Sequence, residues 1–277
     1  MNVREKGFLS RAWTVLADAA GHFNADDGWA MASHVALSAL MALFPFLIFV
    51  AAVAGSVGES ALADRVAELV FAVWPAEVAN PIAAEVHRVL VPIHGGLLTI
   101  SAAVAAYLAS NGVEAARTAL NRAYRVVDRR SIIWRRAQSL IFVLIGTVLF
   151  LLLAALGVLT ASWTVLQPFE AAVAAFGAVV TSVLVIAALV GAHVWLPAGR
   201  PHWWRLWPGI VATLISWIVS AWVFAIYVRS FSNYAATYAG LAGVVIAIFF
   251  LYVVSVLMIF GAEFNASLGR YREGRIV

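Results

Sequence analysis

Charge is absent from long stretches of this chain. No Asp, Glu, Lys or Arg occurs from Ala137 to Phe169, from Ala171 to Gly199, from Leu206 to Val228 or from Ser230 to Ala262. A helix of about 20 apolar residues crosses the roughly 30 Å hydrocarbon core of a bilayer. Composition agrees: 64% of the 277 residues are hydrophobic and 12% are charged, about half the charge of an ordinary soluble domain. Too few polar side chains remain to cover a water-facing surface, so apolar surface must face lipid. The fold class expected is all-α: a polytopic membrane bundle of about six transmembrane helices, with amphipathic surface helices. The chain has no cysteine, which excludes disulfides, thiolate metal sites and a cysteine nucleophile.

The first segment, residues 1–27, has basic residues but no apolar run long enough for a cleavable signal. Phe8, Leu9, Trp13, Leu16, Ala20 and Phe23 fall at helical spacing. This predicts an amphipathic helix, either on the membrane surface or packed on the bundle's inner face. The transmembrane domain is expected over 28–262. Its crossings run from about Gly28 to Gly55, Gly95 to Ala116, Ala137 to Ala161, Ala171 to Leu196, Leu206 to Val228 and Tyr238 to Ala262. Residues 56–94 are too charged to cross and carry two helical stripes broken by Pro75, Pro81 and Pro92. They read as external amphipathic helices. The second crossing is rich in small residues, with Ala102, Ala106 and Ser110 four apart, and is expected inside the bundle. Residues 263–277 form a basic tail.

Loop charge sets topology. Fifteen of the 18 basic residues lie before the first crossing, after the second, after the fourth and after the sixth; Arg65, Arg88 and Arg229 alone lie opposite. Both termini are therefore expected in the cytoplasm, with residues near Asn80 and Ser232 outside. Trp195, Trp203, Trp204 and Trp207 form an aromatic belt at one interface.

Several segments together resemble one family. Ala32–Pro45 (ASHVALSALMALFP) is similar to the stretch opening the YihY/BrkB family. Asn121-Arg-Ala-Tyr124 followed by Arg129 resembles that family's loop after its second helix. Trp195-Leu-Pro197, Pro208-Gly209, Tyr238-Ala-Gly240 and Gly261-Ala-Glu-Phe-Asn265 resemble its later signatures, in the same order. The chain departs from the family pattern at Val35-Ala36 and at Ala239. The resemblance covers nearly the whole chain. It implies a six-helix, multi-pass protein of the bacterial inner membrane. The family's names come from serum resistance in a pathogen and an old assignment as ribonuclease BN, and its members are linked to export of envelope components.

Polar groups inside a membrane are costly and often serve a role. Glu263, beside Asn265, lies near the inner end of the sixth crossing; Glu114 lies near the inner end of the second, after Ser110 and Asn111. Both are expected close to Arg117 or Arg122. Two readings stand: an ion-pair lock between helix ends, or a gate, headgroup or proton site at the inner mouth of a cavity. His34 shares a helix face with Ser38. It reads either as hydrogen-bonded inside the bundle or as a titrating group lining a path. Pro45 should kink the first crossing and is a candidate hinge. His193 reads as merely interfacial.

No catalytic triad, phosphate loop or Walker motif occurs, and the six histidines show no metal-ligand spacing. No catalytic residue, metal or cofactor is expected, and the chain is not read as an enzyme or a nucleic-acid binder. The partners expected are membrane lipids, with an oligomer left open. The functional expectation is a transporter or flippase-like passage for a lipid or amphiphilic envelope component. The alternative is a non-transporting scaffold or regulator of envelope integrity.

Overall fold

A computed structural model describes residues 8–56, 98–162, 170–199, 203–230 and 241–276. They form seven α-helices: α1 (Phe8–Ala25), α2 (Gly28–Ser56), α3 (Leu98–Ala123), α4 (Ile132–Ser162), α5 (Glu170–Trp195), α6 (Trp203–Ser230) and α7 (Leu241–Arg272). Residues 57–94 of the external stretch, the loop at Ser232 and Tyr238-Ala-Gly240 lie outside the described residues.

Five helices, α2, α4, α5, α6 and α7, are long and apolar enough to cross a membrane. The second of the expected crossings, α3, carries Asn111, Glu114, Arg117 and Arg122 and does not meet that measure. Its 26 residues nevertheless reach about 39 Å. One face of α3 is buried against α2 while Val104, Tyr107 and Leu108 stand exposed on the other, and small residues make the buried contact close. Ala105, Ala106 and Ala109 pack with Phe49 of α2. A Cβ added at Gly112 would stand 3.2 Å from the Ala42 methyl group. Ala115 and Ala119 share a core with Ala32 and Val35. As the α3 number rises the α2 number falls, so the two helices run antiparallel.

A second close crossing joins α6 to α7. A Cβ at Gly209 would overlap the Gly261 carbonyl oxygen, and one at Gly261 would overlap the Thr213 hydroxyl. Both motif glycines are there because the two backbones touch. Asn265 completes the joint: its Oδ1 accepts from Gly209 N at 2.7 Å and its Nδ2 donates to Leu206 O at 2.8 Å.

α1 docks on the bundle. Val15, Ala19 and Phe23 are buried, whereas Trp13 and Leu16 are exposed. Of the expected stripe, Phe23 lies on the docked face and Trp13, Leu16 and Ala20 turn away. Ser267 donates to Val15 O at 2.9 Å, and Arg270 bonds Asp18 through Nε and Nη2 at 3.0 and 2.6 Å. Against the burial that would raise it, these Arg270 bonds hold the Asp18 carboxyl low. The start of the first helix and the end of the last therefore share one end of the bundle.

α5 differs from the rest. Leu189, His193 and Leu196 are buried at its C-terminal end. From Ala175 to Ala188 no residue is buried on any side.

Candidate functional site

The arginine-rich end of the bundle gathers the start of α2, the end of α3, the start of α4, the ends of α5 and α7 and the start of α6. Two backbone devices aim its side chains. α3 ends in a Schellman motif: Val126 N–H reaches Asn121 O at 2.8 Å and Arg125 N–H reaches Arg122 O at 2.9 Å. The left-handed position of that motif usually holds glycine, as at Gly274 after α7 (φ 70°), but α3 has Arg125 there at φ 53°. Asp27, between α1 and α2, is likewise left-handed at φ 54°. A non-glycine residue pays backbone strain for this conformation. Here both side chains are put to use.

Arg125 Nη2 bonds Asp26 Oδ2 at 2.5 Å and Glu263 Oε2 at 3.5 Å. Arg122 bonds Asp27 at 2.7 Å. One turn of the chain thus clasps the α1–α2 turn and α7 together. Gly28 fits beneath because a Cβ there would strike the Phe23 ring.

A second network lies between α3, α4 and α5. Arg117, 1% exposed, pairs with Glu114 and stands 3.8 Å from Asp128. It also donates to Arg135 O at 2.8 Å and to Ser139 Oγ at 3.2 Å. Asp128 is held by Arg130 at 2.6 Å. Hydrogen bonds from Arg130, against the burial that would raise it, bring the Asp128 carboxyl down to about 2. Arg130 reaches on to Leu196 O at 2.8 Å and Gln138 to Trp195 O. Asn121 donates to Asp128 at 3.3 Å and accepts from Ala198 N at 2.8 Å. So the Asn121–Tyr124 segment and the Trp195-Leu-Pro197 segment are two sides of one joint. Arg136 lies over the Tyr107 ring and donates to Ser110 and Asn111 at 2.8 and 2.9 Å.

The sequence-predicted residues therefore divide. Glu114 and Arg117 pair with each other, and Asn111 is taken by Arg136. Glu263, 1% exposed, meets Arg125 and not the expected Arg117 or Arg122. The correction has a physical cause: the left-handed turn at Arg125 folds the chain back toward α7, which helical extrapolation does not foresee. Asn265 serves the α6–α7 joint. His34 is exposed on an outward stripe with Trp29, Leu37 and Met41 and is not brought to Glu114 or Glu263. Ser38 is half-buried at the α2–α3 contact, its carbonyl oxygen 3.7 Å from where a Gly112 Cβ would stand. Pro45 is half-buried within α2.

Two groups escaped the sequence reading. His193 is fully buried rather than interfacial: its Nδ1 meets Leu189 O at 2.9 Å and its ring lies edge-on to Tyr124 at 6.4 Å. The Tyr124 hydroxyl lies beside Asn265 and Glu263. Neither that hydroxyl nor His193 Nε2 has a well-aligned hydrogen bond among the described residues. The available signal was periodic: Leu189, His193 and Leu196 fall on one helical face. Among the described residues no three His, Asp or Glu side chains gather to hold a metal ion.

A family model described as Virulence factor BrkB matches residues 19–276. The chain belongs to this family. It is 30% identical over 256 residues to YfkH of Bacillus subtilis, a protein named ribonuclease-like, covering 89% of this chain and 92% of that one. It is 28% identical over 287 residues to a UPF0761 membrane protein of Rhodospirillum centenum, covering 99% of this chain and 63% of that longer one. No solved structure matches the chain. Every described segment that carried the family resemblance after α2 falls in the joints above: Asn121–Tyr124, Trp195–Pro197, Pro208-Gly209 and Gly261–Asn265.

Proposed function

We propose that this BrkB-family membrane protein is a flippase-like passage for a lipid or amphiphilic envelope component in the bacterial inner membrane, shut at its cytoplasmic end by the arginine–carboxylate clasp. The observation that carries the reading is α5. It is fastened to the bundle at Leu189, His193 and Leu196 and unburied from Ala175 to Ala188. A helix packed on the bundle at one end only would leave a lateral opening along its other half. A lipid crossing a membrane needs such an opening, so that its acyl chains stay in the bilayer while its headgroup travels inside. The excess of arginine at the fastened end supports placing that end, with both termini, in the cytoplasm.

The ribonuclease-like name of the Bacillus relative is the weaker guide. Of the seven arginines from Arg117 to Arg136, four that could meet RNA phosphate, Arg117, Arg122, Arg125 and Arg130, each bond a carboxylate instead. A scaffold or regulator is the alternative, and one observation favours it. Val127, Ile132, Ile133 and Trp134 stand exposed around the start of α4, where a partner protein would find an apolar surface.

The test is lipid scrambling in proteoliposomes, with wild type, Glu263→Ala and protein-free vesicles compared. Wild-type scrambling that changes in the variant supports the passage and its gate. A folded wild type that leaves lipids where they were would sink the passage and leave the scaffold.

A further inference from the structure

Glu263 is a buried carboxyl with a poor share of Arg125, the cation that bonds it among the described residues. Charge-assisted bonds run near 2.7–2.9 Å; Arg125 gives its short bond, 2.5 Å, to Asp26 and a long one, 3.5 Å, to Glu263 from the same nitrogen. One guanidinium therefore serves two carboxyls, and the cluster carries a net negative charge if both are ionised. The other groups facing it do not repair this. Arg270, along α7, is committed to Asp18 and lies 3.2 Å from His22 of α1. From the end of α3 comes Tyr124, whose hydroxyl is uncharged. Behind Tyr124 sits His193 of α5, fully buried. A buried charge with half a partner is relieved by a proton.

We propose that Glu263 is a proton-binding site at the closed end of the bundle, and that taking up a proton frees α7 from Arg125 and opens the clasp. The proton adds to the carboxylate oxygen; Arg125 keeps Asp26, and Glu263 becomes neutral with its hydroxyl free to bond Tyr124 or Asn265. The ion pairs of Arg125 with Asp26 and of Arg122 with Asp27 stay in place, so the contact that protonation removes is the one between Arg125 and α7. Tyr124 and His193 supply a buried hydroxyl and imidazole leading from Glu263 toward α5. Resting on the passage reading, the inference makes passage proton-linked, consistent with a sequence that has no ATP-binding motif.

The chain's lack of cysteine allows spin labels to be placed on the full-length protein without background. Labels at Thr118→Cys on α3 and Arg272→Cys on α7, both exposed, report the separation across the clasp by electron–electron resonance in lipid nanodiscs. Wild type should pass between two distances as pH falls from about 9 to about 5, within the range to which burial can move a carboxyl. Glu263→Gln should hold the acid-side distance throughout. Asp26→Asn, which leaves Arg125 to Glu263 alone, should lower the midpoint by about one pH unit or more. A wild-type distance that ignores pH, or a Glu263→Gln protein that titrates like wild type, overturns the proposal. If Glu263→Gln does not fold, an unmoved midpoint in Asp26→Asn overturns it equally. Scrambling measured on the same protein separates the two readings. Scrambling without pH dependence overturns the proton site and keeps the passage. A pH-driven distance change without scrambling keeps the site and removes the passage.

Discussion

The arginine-rich end of the bundle and the N-terminal half of α5 are built on opposite terms. At the first, polar side chains are joined from helix to helix, backbones touch at Gly209 and Gly261, and even the residue closing α3 is strained to deliver a guanidinium. At the second, fourteen residues in succession, Ala175 to Ala188, are unburied, and their polar members, Thr181 and Ser182, bond their own helix at 2.9 and 2.8 Å. Lipid is as apolar as leucine, so an apolar face there gains little from a protein neighbour. A charged or glycine-tight joint has no such substitute. Specific residues are therefore demanded at one end, and only apolar character and helix propensity at the other.

The sharpest way to break this contrast is Arg117→Ala. It leaves Glu114 and Asp128 facing each other beside a buried gap, and removal of one partner from a buried pair costs about 3–5 kcal/mol. Unfolding in mild detergent should show a loss of that order; a loss below about 1 kcal/mol would mean that water already reaches the network.

Next in size is one substitution made twice. Gly209→Ala drives a methyl into the Gly261 carbonyl and the Asn265 amide and should cost about 1–3 kcal/mol. Gly177→Ala meets nothing within 4 Å and should be neutral or gain up to about 1 kcal/mol in helix propensity. Equal effects at the two sites would erase the distinction between the regions. Asn265→Ala belongs with the first, because it strands the buried Gly209 N–H, at about 1–3 kcal/mol.

The smallest effect is visible only in acid. The Asp128 carboxyl is held down to about 2 from an ordinary 3.8. Its contribution is thus fully present above about pH 4 and lost as pH falls through about 2. The stability gap between wild type and Asp128→Asn should be constant from about pH 7 to about pH 5 and close below about pH 4. A gap that persists to pH 2 would show that Asp128 acts by shape and not by charge.

Hydropathy made the five apolar helices legible, and small-residue spacing marked the face of α3 that packs on α2, while Val104, Tyr107 and Leu108 on its other face are exposed. Loop charge marked the arginine-rich end but not its wiring. Arg117, Arg122, Arg125 and Arg130 are alike as topology signals, and their partners depend on a left-handed turn that only the folded chain displays. His34 shows the other blind spot. In a water-soluble helix the apolar face points inward, but in α2 both faces are apolar, so the sequence does not say which side meets lipid. Gly209, Gly261 and Asn265 were recognisable as motif residues, and their shared reason, a backbone-to-backbone crossing, needed the neighbour in view.

The bond from Ser267 to Val15 and the grip of Arg270 on Asp18 join residues 252 positions apart. This fixes an order of assembly. Phe23 of α1 can meet Trp29 of α2 early, but the bonds that fasten α1 to α7 form only once α7 is made. The exposed Trp13 and Leu16 of α1 leave free the face that α7 later takes. Completion of the bundle is thus registered at the N-terminus, and a chain cut short before Ser267 would be left with an unfastened beginning as well as a missing end.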